Sequence, residues 1–236
     1  MDEMPGADSR ARAVAARKSR RGGRGGTRNG GSRERILKVA LREFATKGLS
    51  GARVDTIAAK AKTSKHMVYY HFRSKEELYK AVLEQAYAGI RASEQAIDVD
   101  HMEPIDALRA IIRQSFDYHA DNEMFVRLVM NENIHHARYI TERQIQGNKP
   151  IIETLSRILE RGKRNGSLRA DIDPRELHLT ISALGFHFVS NKYTFAKIFE
   201  LDMSSQAARE RRREIVIDTI LRWCAANPVS IDGAQA

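Results

Sequence analysis

The chain has 236 residues, 42% hydrophobic and 30% charged, enough to bury a core of its own and too apolar for a wholly disordered polymer. No run of eighteen apolar residues and no apolar stretch behind the basic N-terminus occurs, which argues against a membrane span and a secretory signal; the single cysteine, Cys224, excludes an intrachain disulfide and fits a reducing, cytoplasmic setting. The formal net charge of +10 is unevenly placed, with +5 in residues 1–32, +8 in residues 33–75 and −3 in the remainder, so the first third is expected to meet a polyanion.

Residues 1–31 read as a disordered basic arm, because seven glycines and eight Lys or Arg up to Ser32 bury too little apolar surface to offset ordering entropy. From Ser32, a candidate cap, Ile36, Leu37, Ala40, Leu41, Phe44 and Ala45 form one helical stripe that Gly48 is suited to end. A short helix follows over Val54–Ala61, with Val54, Ile57, Ala58 and Ala61 on one face. Lys62 and Thr63 make a turn, and Ser64 caps a third helix in which Val68 and Phe72 face inward while Lys65, His66, Tyr69 and Tyr70 face outward. Two short helices joined by such a turn are the helix-turn-helix arrangement, placed here at about 53–72 within a head of residues 32–78. A hydroxyl-, tyrosine- and histidine-rich helix flanked by Lys and Arg suits phosphates and base edges; a plain surface helix is the competing reading of that stretch alone.

Ser74 and Glu77 have capping-box spacing and open a long helix to about Ala92. The body, residues 79–227, continues in helical stripes: Pro104–Ala120, Glu123–Asn133, a weaker segment at Arg138–Gln146, one from about Pro150 to Asn165-Gly166, one launched by Asp173-Pro-Arg-Glu176 and one over Gln206–Ala226, before a flexible tail at 228–236. No stretch has sustained period-two alternation, so the fold expected is all-α.

Arg35-Ile-Leu-Lys-Val-Ala-Leu-Arg-Glu-Phe44, Gly48, Ile57-Ala58, Ser64-Lys65, Val68-Tyr-Tyr-His-Phe72 and Ser74-Lys-Glu-Glu-Leu78 together resemble the TetR family of bacterial transcriptional regulators. Asn165-Gly-Ser-Leu-Arg-Ala-Asp-Ile-Asp-Pro174 is similar to the segment before the penultimate core helix of many members. The resemblance implies an Ω-shaped homodimer, each protomer with a three-helix DNA-binding head and a helical sensing body. Carried over position by position, it puts DNA contacts on Arg53, Thr63, Ser64, Lys65, His66, Tyr69, Tyr70, His71 and Lys75. Two positions depart from the family: Lys62 and His66 stand where glycine is usual. Lys62 is expected at a positive-φ turn position, strained by about 1 kcal/mol, and His66 to read a base where relatives bring backbone close.

Family dimers pair through their last two helices, here about 174–190 and 206–226. Ser182 and Gly185 offer close approach and Ile217, Leu221 and Trp223 candidate anchors; the alternative is that these residues fill only their own protomer's core. For an effector, polar or aromatic residues on apolar stripes are the candidates: Tyr87, Phe116, His119, Met130, Asn133, His187 and Asn191, suggesting an aromatic or acidic small molecule. Each such residue can equally be a satisfied core residue. Glu132 and His136 share a helix face beside His135, but no third ligand has metal spacing, so no metal and no cofactor are expected. Catalytic triads, phosphate-cradling glycine loops and paired-carboxylate motifs are also missing, which argues against an enzyme. The function expected is a repressor released from a palindromic operator by an effector; occupancy or protein recruitment without an effector, and activation, are the alternatives.

Overall fold

A computed structural model describes the chain over residues 26–226, residues 26–30 by backbone only. The apolar stripes become helices α1 (Gly26–Gly51), α2 (Val54–Lys60), α3 (Lys65–Phe72), α4 (Lys75–Gln95), α5 (Pro104–Asp121), α6 (Glu123–Ile134), α7 (Glu142–Gly147), α8 (Lys149–Arg164), α9 (Pro174–Ser190), α10 (Lys192–Ile198) and α11 (Gln206–Cys224). Among the described residues there is no strand, only an isolated bridge between Leu168 and Ala225. The all-α expectation holds.

Several local expectations change. The first helix begins at Gly26, not Ser32, so Ser32 is a buried interior residue and no cap. Glycines at 30 and 31 weaken a helix without ending it. Residues 26–31 of the expected arm are thus helical, while its residues 1–25 and the expected tail at 228–236 lie outside the described residues. Gly48 does break the helix, at φ 66°. Its missing Cβ also spares Asn131 of α6, whose Oδ1 would lie 3.1 Å from it and whose Nδ2 donates to the Ala45 carbonyl at 3.3 Å.

The expected capping box at Ser74 forms by half, and a box of the same spacing at Asp173 and Glu176 does no better. Ser74 accepts from the Glu77 amide at 3.1 Å, but the Glu77 carboxylate takes Lys80 at 2.8 Å and the Ser74 amide donates to the Phe72 carbonyl. Asp173 accepts from Arg175, one residue before the box position. A full box forms elsewhere, between Thr141 and Gln144, and starts α7 later than the periodicity suggested. Residues 135–139 turn instead, with His136 and Ala137 at positive φ. Helix α10 has no buried residue, so no apolar stripe announced it.

Two hydrophobic clusters fill the molecule. In the head, α1, α2 and α3 bury Ile36, Phe44, Ile57, Val68 and Phe72, joined by Leu78, Tyr79, Val82 and Leu83 of α4 and Leu128 of α6. In the body, α5, α8, α9 and α11 bury Leu108, Ile112, Phe116, Leu155, Ile181, Val216 and Ile220. Helix α4 runs through both, and α6 also touches both. Gly185 serves this body core: a Cβ there would meet His119 Nδ1 at 3.2 Å and the Phe116 Cα at 3.4 Å, so its smallness lets α9 approach α5. Ile217 is likewise sealed inside its own protomer, because it lies on the α11 face that carries Val216 and Ile220. Neither residue is free to anchor a second chain.

Candidate nucleic-acid interface

The reading helix is set by its flanks. Ala61 ends α2, Lys62 turns the chain at φ 52°, and the Thr63 amide closes on the Ala58 carbonyl at 3.0 Å. Ser64 then caps α3 by accepting from the Met67 amide at 3.2 Å. Lys62 thus takes the left-handed conformation at a cost of about 1 kcal/mol. The buried Glu43 of α1 ties the end of α2 to α1, taking Lys47 of its own helix at 2.7 Å and Lys60 of α2 at 3.2 Å. Burial pushes its carboxyl up, but the two ammonium groups outweigh this and hold it below the ordinary value.

With Val68 and Phe72 turned into the core, the other face of α3 is left to solvent. Lys65 and His66 are exposed, Tyr69 is 38% and Tyr70 64% exposed. Arg53, preceding α2, and Ser64 are exposed beside them, and Thr63 is half-buried. Lys65 pairs with Asp55 at 3.1 Å, an exposed pair that a phosphate can replace, since such pairs are worth under about 1 kcal/mol. Lys75 is half-buried, and its ammonium donates to the Ser50 carbonyl at 3.3 Å. His71 departs from the outward set: it is half-buried, and its Nε2 is sealed from solvent without a partner. Three residues after Val68, it lies on the same side of the helix as that buried side chain. Arg33 of α1 lies over the Phe72 ring at 5.2 Å.

Of the seven effector candidates, Tyr87 and His119 both pack on Phe125 and Phe116 meets His119 at Gly185, while the other four lie apart from them. Phe116 packs on Phe188 in the core, and His119 is enclosed between Phe125 and Phe186. Met130 and Asn133 face solvent on α6, where Asn133 bonds its own helix. His187 is exposed against Phe195, and Asn191 donates to Ser190. Tyr87 lines a groove beside α4. The dispersal has a physical reason: a stripe position fixes the face of a helix, and what that face meets is decided by packing. Glu132 is buried and accepts from the Tyr139 amide at 2.6 Å, while His135 and His136 are exposed; among the described residues no group of three His, Cys, Asp or Glu could hold a metal ion.

Sequence reasoning missed a polar cluster inside the body. Arg91 of α4 meets Glu94 at 2.7 Å and His178 Nε2 of α9 at 3.3 Å. Burial pushes the Glu94 carboxyl up to about 7 against the pull of Arg91, and burial pushes His178 and His119 down to about 4. The available signal was two charges, Arg91 and Glu94, continuing the apolar stripe of α4 past Ile90.

A groove of about 560 Å³ runs between α1, α4 and the α7–α8 corner, with Tyr87, Arg91 and Gln144 in its walls. A second, of about 480 Å³, lies on the other side of α4 against α1 and the α5–α6 corner. No helix of the described residues is long and apolar enough to cross a membrane.

Comparison with known proteins agrees with this geometry. The family model for bacterial regulatory proteins of the tetR family matches residues 36–82, and that for the tetracyclin repressor-like C-terminal domain matches residues 104–220. The chain is 32% identical over 195 residues to the HTH-type transcriptional repressor NicS of Pseudomonas putida, covering 81% of this chain and 91% of that protein. It is 32% identical over 153 residues to the HTH-type transcriptional regulator RutR of Escherichia coli, covering 65% and 71%. Among solved structures it is similar to a transcriptional regulator, SCO4942, from Streptomyces coelicolor, with TM-score 0.64 and 26% identity over 83% of this chain and 99% of that one.

Proposed function

The chain belongs to the TetR family of bacterial transcriptional regulators, and from that premise we propose that it is a homodimeric repressor released from a palindromic operator by a small-molecule effector. The observation that carries this reading is the outward face of α3, where Lys65, His66, Tyr69 and Tyr70 stand free of the core on a capped helix. In a dimer two such helices would enter successive major grooves, about 34–36 Å apart. Arg53, Ser64 and Lys75 would hold flanking phosphates, with His66 reading a base edge. The protein acts by binding in the cytoplasm, where the DNA is, and not by catalysis. Dimerisation would use the exposed sides of α9 and α11, which present Leu179 and Ile215.

The packed centre of the body favours one other reading, a DNA-binding protein that works by occupancy alone. Here Phe116 and His119, expected to meet a ligand, are enclosed by protein. Fluorescence anisotropy with labelled DNA from upstream of the chain's own gene tests the main reading. Lys65→Ala should weaken binding about tenfold with thermal unfolding unchanged, and His66→Gly should alter the preferred sequence more than nonspecific affinity. Wild-type affinity in both variants would remove α3 from the interface.

A further inference from the structure

We propose that α10, with the turn after it, is a clasp that closes on a second copy of this chain and supplies most of the apolar surface of that contact; this rests on the homodimer reading above. Helix α10 is seven residues long and buries none of them. A helix that short is marginal by itself in water, and in proteins its stability comes from packing an apolar side against something. The apolar side is present here. Phe195, Ile198 and Phe199 follow at helical spacings of three and four, the Phe195 and Phe199 rings lie 5.0 Å apart, and all three side chains are exposed. Tyr193 and Leu201 extend the exposed patch.

The segment is anchored at both ends and uncovered between them. At its start the Lys192 ammonium and the Tyr193 hydroxyl donate to the Glu123 carboxylate of α6, at 2.7 and 3.1 Å. After it, Met203 packs against the body core. The patch also continues the outer side of α9. Leu179, Ala183 and His187 are exposed there at successive spacings of four, and the His187 ring meets Phe195 edge to face at 5.3 Å.

Area favours the same answer. Stable homodimers bury about 1,000 Å² or more per protomer, about 65% of it apolar. Taking about 200 Å² for a fully exposed large apolar side chain, Leu179 and Ile215 offer only about 200 Å² between them. The five exposed side chains on and after α10 add about 550 Å², which closes the gap. Charge favours a second copy over a different partner. Lys197 and Glu200 are exposed beside the stripe without an ion pair among the described residues, and opposite charges on one patch complement the same patch turned about a two-fold axis. The terminal segments of this chain match the stripe poorly, since residues 1–25 and 227–236 contain no aromatic residue and no leucine.

The test compares the full-length protein with the triple variant Phe195→Ser, Ile198→Ser, Phe199→Ser by sedimentation over a range of concentrations. Wild type is expected to be a dimer, and the triple variant to raise the dimer dissociation constant about a hundredfold or more. Because these side chains leave the protomer's own core untouched, far-UV circular dichroism should show the rest of the helices intact. A second measurement needs no loss of apolar surface: p-benzoylphenylalanine in place of Phe199 should, under light, join two chains into a product of doubled mass on a denaturing gel. A triple variant as tightly dimeric as wild type, or a benzophenone that attaches only within its own chain, overturns the clasp and leaves the homodimer reading standing. A wild-type protein that sediments as a monomer at every concentration overturns the homodimer reading and the clasp with it.

Discussion

His119 is enclosed by Phe125, Phe186 and Gly185, and its imidazole titrates near 4 because protonation would set a charge in that apolar shell. His178 behaves alike, by burial and the nearby Arg91 charge, and Glu94 is pushed the opposite way to about 7. Each histidine has a folded pKa below its unfolded value, so its contribution is complete above about pH 6.5 and is lost as pH falls toward 4. Glu94 has a folded pKa above its unfolded value, so its contribution is complete below about 4.5 and is lost as pH rises through 7. Between about pH 5 and 6 the unfolded chain binds two of these three protons and the folded chain one. Stability should therefore rise with pH there by about 1.4 kcal/mol per unit, measured by urea unfolding. His119→Phe should flatten that slope, and an unchanged slope would show that this imidazole is not the group that titrates. At this scale the outward face of α3 was legible in sequence, because Lys65, His66, Tyr69 and Tyr70 are what a short helix leaves over once Val68 and Phe72 turn inward. The meeting of Arg91 with His178 was not, because it depends on neighbours brought from distant segments.

Elements were legible wherever an apolar stripe met a core. Helices α2, α3, α5 and α9 begin and end within a few residues of the periodicity that announced them. The failures share a cause: α10 buries nothing, and the beginning of α1 is polar and glycine-rich, so neither carries a stripe. At Ser74 and Asp173 the capping signal fixed where the helix starts but not which groups meet, since the Glu77 carboxylate had Lys80 as a competing partner; at Ser32 it did not fix the start. The Ser74 cap remains the hinge between α3 and α4. Ser74→Ala should cost about 1 kcal/mol, read as a fall of about 2–4 °C in Tm, and should weaken DNA binding beyond that loss by freeing the start of α4. A Tm equal to wild type would mean that the hydroxyl contributes nothing there.

Across the whole molecule, exposed apolar side chains gather on the outer sides of α9 and α11, with Leu179 61% and Ile215 47% exposed, and Tyr193, Ile198 and Phe199 exposed on and after α10. Surface of this kind is what a second copy would cover. The double variant Leu179→Asp with Ile215→Asp should sediment as a monomer and lose operator binding by far more than either α3 variant, because one head alone spans one half-site. A dimer that persists would move the interface elsewhere. Helix α4 gives the protomer its reach. From the cap at Ser74 to Arg91 it extends about 25 Å, at 1.5 Å per residue. Turned as a rigid pointer by about 5° at the groove, its far end sweeps about 2 Å, enough to carry a donor out of the roughly 2.7–3.2 Å range in which it holds a phosphate oxygen. Geometry alone thus multiplies a displacement too small to disturb the body's packing into one that DNA would register, and each added turn of this helix would raise the gain.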